Sequence, residues 1–267
     1  MIEALSFEFV QHAIIAGILV SLATGIIGSL IVVNRMVFLA GGIAHASYGG
    51  IGIAVYLGLP IFLGASLFAV ASALLIAFIT LHDRERIDML IGLVWAVGMA
   101  IGIILIDLTP GYNVDLMSYL FGSILAVSSG DIYYMSALLI AIIAIVTIWY
   151  KQILAVSYDS QYAALRGVNV KFFYSLILVL SSLTVVIAIK VVGLILVIAM
   201  LTIPVYIAQR LSHSLISMMI LSGVFATLFT LVGLWFSYTY DLTSGAAIII
   251  VSALSLILFL IVMPKDR

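Results

Sequence analysis

The chain has no cysteine, which excludes disulfides, thiolate metal ligands and cysteine nucleophiles together. Any metal chemistry must use histidine, carboxylates or backbone oxygens. Charge is nearly as scarce: 8% of the 267 residues are charged and 66% are hydrophobic, against roughly 25% and roughly 45–50% in soluble domains. That balance excludes a soluble globular protein and predicts an all-α polytopic membrane protein. Also absent are a Gly-x-x-x-x-Gly-Lys-Ser/Thr phosphate loop, a His-Glu-x-x-His zinc helix and a Gly-x-Ser-x-Gly elbow, so no motif for ATP hydrolysis or a recognised hydrolase is present. The longest polar interval, 151–171, is too short to bury a core of its own, and residues 1–267 read as a single transmembrane domain. Glu3 and Glu8, rather than basic residues, precede the first apolar run. This predicts a first span that is retained and not removed as a signal peptide.

What remains is a succession of apolar runs. A spanning helix needs about 20 mainly apolar residues, and breaking the chain at its polar punctuation predicts about nine, with eight as the alternative count: 10–33, 36–57, 61–81, 89–108, 131–150, 172–189, 191–208, 215–236 and 244–263. Positive charge collects in cytoplasmic loops. With nine spans, Arg35, Arg84, Arg86, Lys151, Arg166, Lys171, Arg210, Lys265 and Arg267 share one side and only Lys190 falls on the other. The C-terminus is therefore expected in the cytoplasm and the N-terminus outside. The stretch 175–208 is the weak point, because Lys190 is its only charge and Gly193 its only glycine; a tight hairpin there preserves the charge bias.

Ionisable groups inside such spans are costly and need a reason to be there. His45 lies in Gly41–Gly52, among residues almost without side chains, and helical spacing puts Gly41, His45, Gly49 and Gly52 on one face. Two readings fit. The small residues let another backbone approach, with His45 bonding a neighbouring carbonyl; or His45 is a transient metal ligand through a neutral imidazole nitrogen, with Gly41, Ser47 and Gly49 lining a pathway. Asp241, the only charge in Ser237–Ala246, either caps the last helix through the N–H of Thr243 or Ser244 or offers a carboxylate to a divalent cation. Asp107, Asp115 and Asp131 surround the loop 108–130 and make the outer face acidic, with Asp107 and Asp131 read as solvated loop charges. Within that loop the run Tyr119–Val127 is too short to span and either lies in the interface or re-enters the protein. His12, His82 and His213 read as solvated or interfacial. In 155–168, Ser157 or Asp159 can cap a short helix, Tyr162, Ala163 and Leu165 supply apolar contacts and Gly167 can end it. Such a helix is either a docking peg for a soluble partner or an interfacial helix resting on headgroups.

At these motifs the chain resembles the permease subunits of ATP-binding-cassette importers for zinc, manganese or iron. Ala44–Ser47 resembles the family's His-bearing segment, Tyr119–Val127 its outer loop, and Asp159–Val168 the coupling helix inserted into the ATPase. Val192–Pro204 resembles its mid-membrane segment and Asp241–Ala246 its closing motif. One departure stands out: many members carry an aspartate one helical turn before the histidine, where this chain has Gly41. The resemblance implies a type II importer-like permease with a coupling helix at about 157–168, carrying Asp159, Tyr162, Ala163, Leu165 and Gly167. It implies His45 as a metal ligand and Asp241 as a second, with Asp115 the first candidate to complete the shell. It further implies a second copy of the chain, cytoplasmic ATPase subunits, an extracytoplasmic metal-binding protein, the plasma membrane of a prokaryote, no permanently bound cofactor and a divalent metal ion as cargo. A proton-coupled secondary transporter using His45 is the alternative, and an intramembrane enzyme, for which no nucleophile–base pair is visible, a third.

Overall fold

The computed structural model describes residues 7–81, 87–110 and 120–263. These form eleven α-helices: α1 Glu8–Val33, α2 Val37–Leu57, α3 Ile61–Thr80, α4 Ile87–Asp107, α5 Ser129–Ile148, α6 Tyr150–Tyr158, α7 Ser160–Leu165, α8 Val170–Val192, α9 Val197–Leu211, α10 Leu215–Tyr240 and α11 Ser244–Val262. Helices satisfy every interior backbone group within the segment, which lipid cannot do for them. Their ends are capped from the sequence. Ser128 Oγ accepts from the N–H of Asp131 at 3.3 Å while Asp131 Oδ2 accepts from the N–H of Ser128 at 2.9 Å, starting α5. Asn169 Oδ1 accepts from Phe172 N–H at 3.1 Å at the head of α8, and Ser214 Oγ from Ser217 N–H at 3.2 Å at the head of α10.

Among the described residues, eight helices are long and apolar enough to cross a membrane: α1 to α5, α8, α10 and α11. The segment 191–208, expected as a ninth span, is instead the 15-residue α9, about 22 Å long at 1.5 Å per residue, short of the roughly 30 Å hydrocarbon core. The reason lies in where the chain breaks. α8 runs on through Lys190 to Val192, and the break comes at Gly193–Leu196, where Gly193 takes φ +84°. A break inside an apolar region leaves backbone groups that need partners. The segment from Leu120 supplies them: Ser123 N–H donates to Lys190 O at 3.2 Å and Ile195 N–H to Leu120 O at 3.2 Å. From Leu120 onward the run expected to lie flat or re-enter therefore re-enters, with Ile124 fully buried.

The chain divides into two compact units. One comprises α1, most of α5, and α9 to α11; the other comprises α2 to α4, α6, α7 and most of α8. In the first, α1 and α10 lie close enough that a Cβ on Gly25 would strike the backbone of Ser222 and Gly223. Hydroxyls bridge the two helices, Ser21 to Thr230 at 3.0 Å and Ser222 Oγ to Gly25 O at 2.8 Å. In the second, α2 packs backbone to backbone against α3 and α4. A Cβ on Gly50 would strike Gly64, and one on Gly52 would strike Gly102. Small residues at such crossings are the ordinary device for packing helices in lipid.

Candidate functional site

His45 sits on α2, half-buried. Its Nδ1 donates to the carbonyl oxygen of Gly41 at 2.8 Å. A carbonyl only accepts, so Nδ1 carries the proton, and the lone pair of the neutral ring is on Nε2. Donation from the rear nitrogen to a backbone carbonyl is the usual way a ligating imidazole is oriented. At the position where the resembling family has a carboxylate, this chain uses the peptide carbonyl of Gly41 to hold the ring. The other ring contact comes from α4: the indole of Trp95 lies with its centroid 3.9 Å from that of His45, the planes 31° apart. Sequence reasoning missed Trp95, since hydropathy does not separate it from the lipid-facing residues of α4; its position far from both helix ends was the available signal.

Ser47 and Gly49, expected to line a pathway, are instead consumed by packing. Ser47 is fully buried with its hydroxyl on Ala44 O at 2.6 Å, and a Cβ on Gly49 would meet the carbonyl of Gly98 and the ring of Phe68. For the glycines beyond His45 the close-packing reading is the one realised, while Gly41 is buried and bonded to His45.

Asp241 does not cap α11. It takes the left-handed conformation, φ 52° and ψ 46°, that ends α10, and α11 begins from Thr243, whose side chain makes no capping bond. The sharp turn is held by Leu242 N–H donating to Ser237 O at 3.1 Å and Ser237 Oγ donating to Leu242 O at 2.6 Å. The Asp241 carboxylate is left exposed. Asp115 lies outside the described residues, as does His82. Asp131, expected to be a solvated charge, is largely shielded and sits 3.6 Å from Lys190 Nζ, so the one basic residue that breaks the charge bias is matched by a carboxylate. Asp107, at the end of α4, is exposed as expected, and so is His213; His12 pairs with Glu8 at 3.7 Å. Among the described residues no three of the histidine and acidic side chains converge into a metal-binding cluster.

The second candidate region is α7. Asp159 Oδ1 accepts from Tyr162 N–H at 2.9 Å at its start, and Gly167 follows its end with φ +78°, as the sequence predicts. The ordered helix is shorter than expected, Ser160–Leu165 within 157–168. Leu165 is 88% exposed and Tyr162 49%, whereas Ala163 is 0% exposed. Ala163 therefore packs inward, because a six-residue helix has room for only one face outward, and it cannot present itself to a partner. Arg166 lies across the Tyr162 ring and donates from Nε to its hydroxyl at 2.9 Å.

The model of the ABC 3 transport family matches residues 6–264. The chain belongs to the ABC 3 transport family. It is 45% identical over 97% of its length to an uncharacterised membrane protein of Synechocystis, covering 92% of that protein. It is 36% identical over 98% of its length to the manganese transport system membrane protein MntC of Listeria monocytogenes, covering 93% of it. Among solved structures it matches PsaBC of Streptococcus pneumoniae in complex with Fab, with a TM-score of 0.90 and 33% identity over all of this chain and 96% of that one. The permease fold expected from the sequence is thus the fold of this ABC 3 family chain, and its role is in transport.

Proposed function

We propose that this ABC 3 family permease carries a divalent transition metal ion, manganese first, inward across the plasma membrane, driven by separate cytoplasmic ATPase subunits. The observation that carries the reading is His45: a neutral imidazole at membrane depth, its rear nitrogen engaged by Gly41 O and the Nε2 lone pair left for a cation. The name of the 36%-identical MntC relative supports manganese. Mn²⁺ accepts imidazole nitrogen and oxygen donors, the only donor types a cysteine-free chain offers besides the weak thioether of methionine. One imidazole from each chain makes a deliberately incomplete shell, because an ion held by a full set of optimal ligands would not leave on every cycle. Water and a second copy of the chain complete it. An external metal-binding protein delivers the ion, and ATP hydrolysis in the partner subunits, received through α7, switches access from outside to inside.

The test is manganese uptake by cells carrying His45→Ala. Uptake falls to background while the amount of membrane-inserted protein stays the same. Normal uptake by that variant would remove His45 from the pathway.

A further inference from the structure

Trp95 is eight residues from the start of α4 and twelve from its end, far from the helix ends where tryptophan ordinarily anchors at the headgroups. It is instead half-buried and lies tilted against His45, the one histidine of α2. Its partner is fixed in turn: the indole Nε1–H donates to Met99 Sδ at 3.1 Å, which stops the ring from turning about its own axis. The distance between the two helices is set by glycine. A Cβ on Gly42 would strike Ile91, one on Gly98 would strike Ala46, and one on Gly102 would strike Tyr48. These contacts lie before, beside and beyond the His45–Trp95 level, so α4 runs in close contact with α2 on both sides of the indole.

We propose that Trp95 is a positioning residue for His45, holding the imidazole as a ligand and stabilising it when it carries charge. The Gly41 carbonyl fixes one ring nitrogen, which still allows the ring to swing about that bond. The indole face 3.9 Å away removes the swing. When a divalent ion binds to Nε2 the imidazole acquires positive character, and the negative face of an indole attracts it. Phenylalanine keeps the flat face; alanine removes it. This rests on the reading of His45 as the cargo ligand.

The experiment compares manganese uptake in cells by the unaltered protein, Trp95→Ala, Trp95→Phe and His45→Ala. Loss of an orienting partner of a ligand costs about tenfold in metal affinity. Trp95→Ala therefore raises KM for Mn²⁺ about tenfold with Vmax and protein amount unchanged, and Trp95→Phe restores most of it. An unchanged KM in Trp95→Ala beside an inactive His45→Ala overturns this inference alone, whereas full uptake by His45→Ala overturns the reading of His45 first. A second measurement does not depend on how Trp95→Ala folds. The chain has three tryptophans, and Trp149→Phe with Trp235→Phe leaves Trp95 as the sole indole. Paramagnetic Mn²⁺ at His45 quenches its fluorescence, and His45→Ala abolishes the quenching. Fluorescence unchanged by MnCl₂ in the purified protein overturns the reading of His45 as the ligand, and this inference with it.

Discussion

Gly193 and Gly167 both hold a positive φ, +84° and +78°, in opposite surroundings. Around Gly167 there is open space, while a Cβ on Gly193 would strike the backbone of Leu120, Phe121 and Gly122. The left-handed region costs an L-residue roughly 1–2 kcal/mol, and a clash with packed backbone adds about 1–3 kcal/mol. Gly167→Ala is thus expected to lower the thermal unfolding midpoint of the purified protein slightly, and Gly193→Ala to lower it markedly. Equal shifts would show that the segment from Leu120 yields without cost. At this scale the sequence was legible where a residue is chemically out of place. His45 stands out because an imidazole in an apolar span has few reasons to exist. Trp95 is harder to read: its mid-span position departs from the interfacial norm for tryptophan but names no partner, and only the register of α4 against α2 shows which side chain it meets. Asp131 misleads for the converse reason: beside a loop a carboxylate looks solvated, and Lys190, its partner at 3.6 Å, lies 59 positions further along the chain.

α7 shows how far a single element can be read. An aspartate three residues before a donating N–H, and a glycine after the last turn, fix both ends through local chemistry alone. Which face points outward depends on the elements packed beneath it, and so the inward Ala163 was not distinguishable from the outward Leu165. On the proposed coupling role of α7, the side chains available for docking are Tyr162 and Leu165, which are exposed, and Arg166. Leu165→Glu is expected to abolish copurification of the ATPase subunits with a tagged permease while leaving insertion intact, because it changes a side chain that supports nothing within its own chain. Asp159→Ala removes the cap, worth about 1 kcal/mol of helix stability, and weakens copurification without abolishing it. A complex unaffected by Leu165→Glu would refute the docking assignment. The expected bounds of the ninth span, 191–208, failed for a similar reason. Hydropathy does not mark the end of α8 within 175–208, and the break forms at Gly193 because the distant segment from Leu120 is there to receive its backbone bonds.

At the scale of the whole molecule, the shortness of α9 bears on which side of the membrane the chain ends. If α9 reverses the chain direction despite its 15 residues, nine basic residues share one side and Lys190 alone lies opposite, already neutralised by Asp131. If α9 does not, Arg210, Lys265 and Arg267 join Lys190 and leave six against four, a distribution with no positive-inside bias to orient it. On the positive-inside rule α9 is expected to carry the chain back, entering from the break at Gly193–Leu196 and bringing Arg210, in its last turn, to the side of the other basic residues. The two arrangements differ in one observable. With α9 reversing, Leu165 and Asp241 lie on opposite faces of the membrane; without it they lie on the same face. The absence of native cysteine allows a direct measurement with a membrane-impermeant thiol reagent on intact cells and on inverted vesicles. Asp241→Cys is expected to label from outside and Leu165→Cys only in inverted vesicles. Labelling of both from the same side would place the C-terminus outside and remove α9 from the crossings.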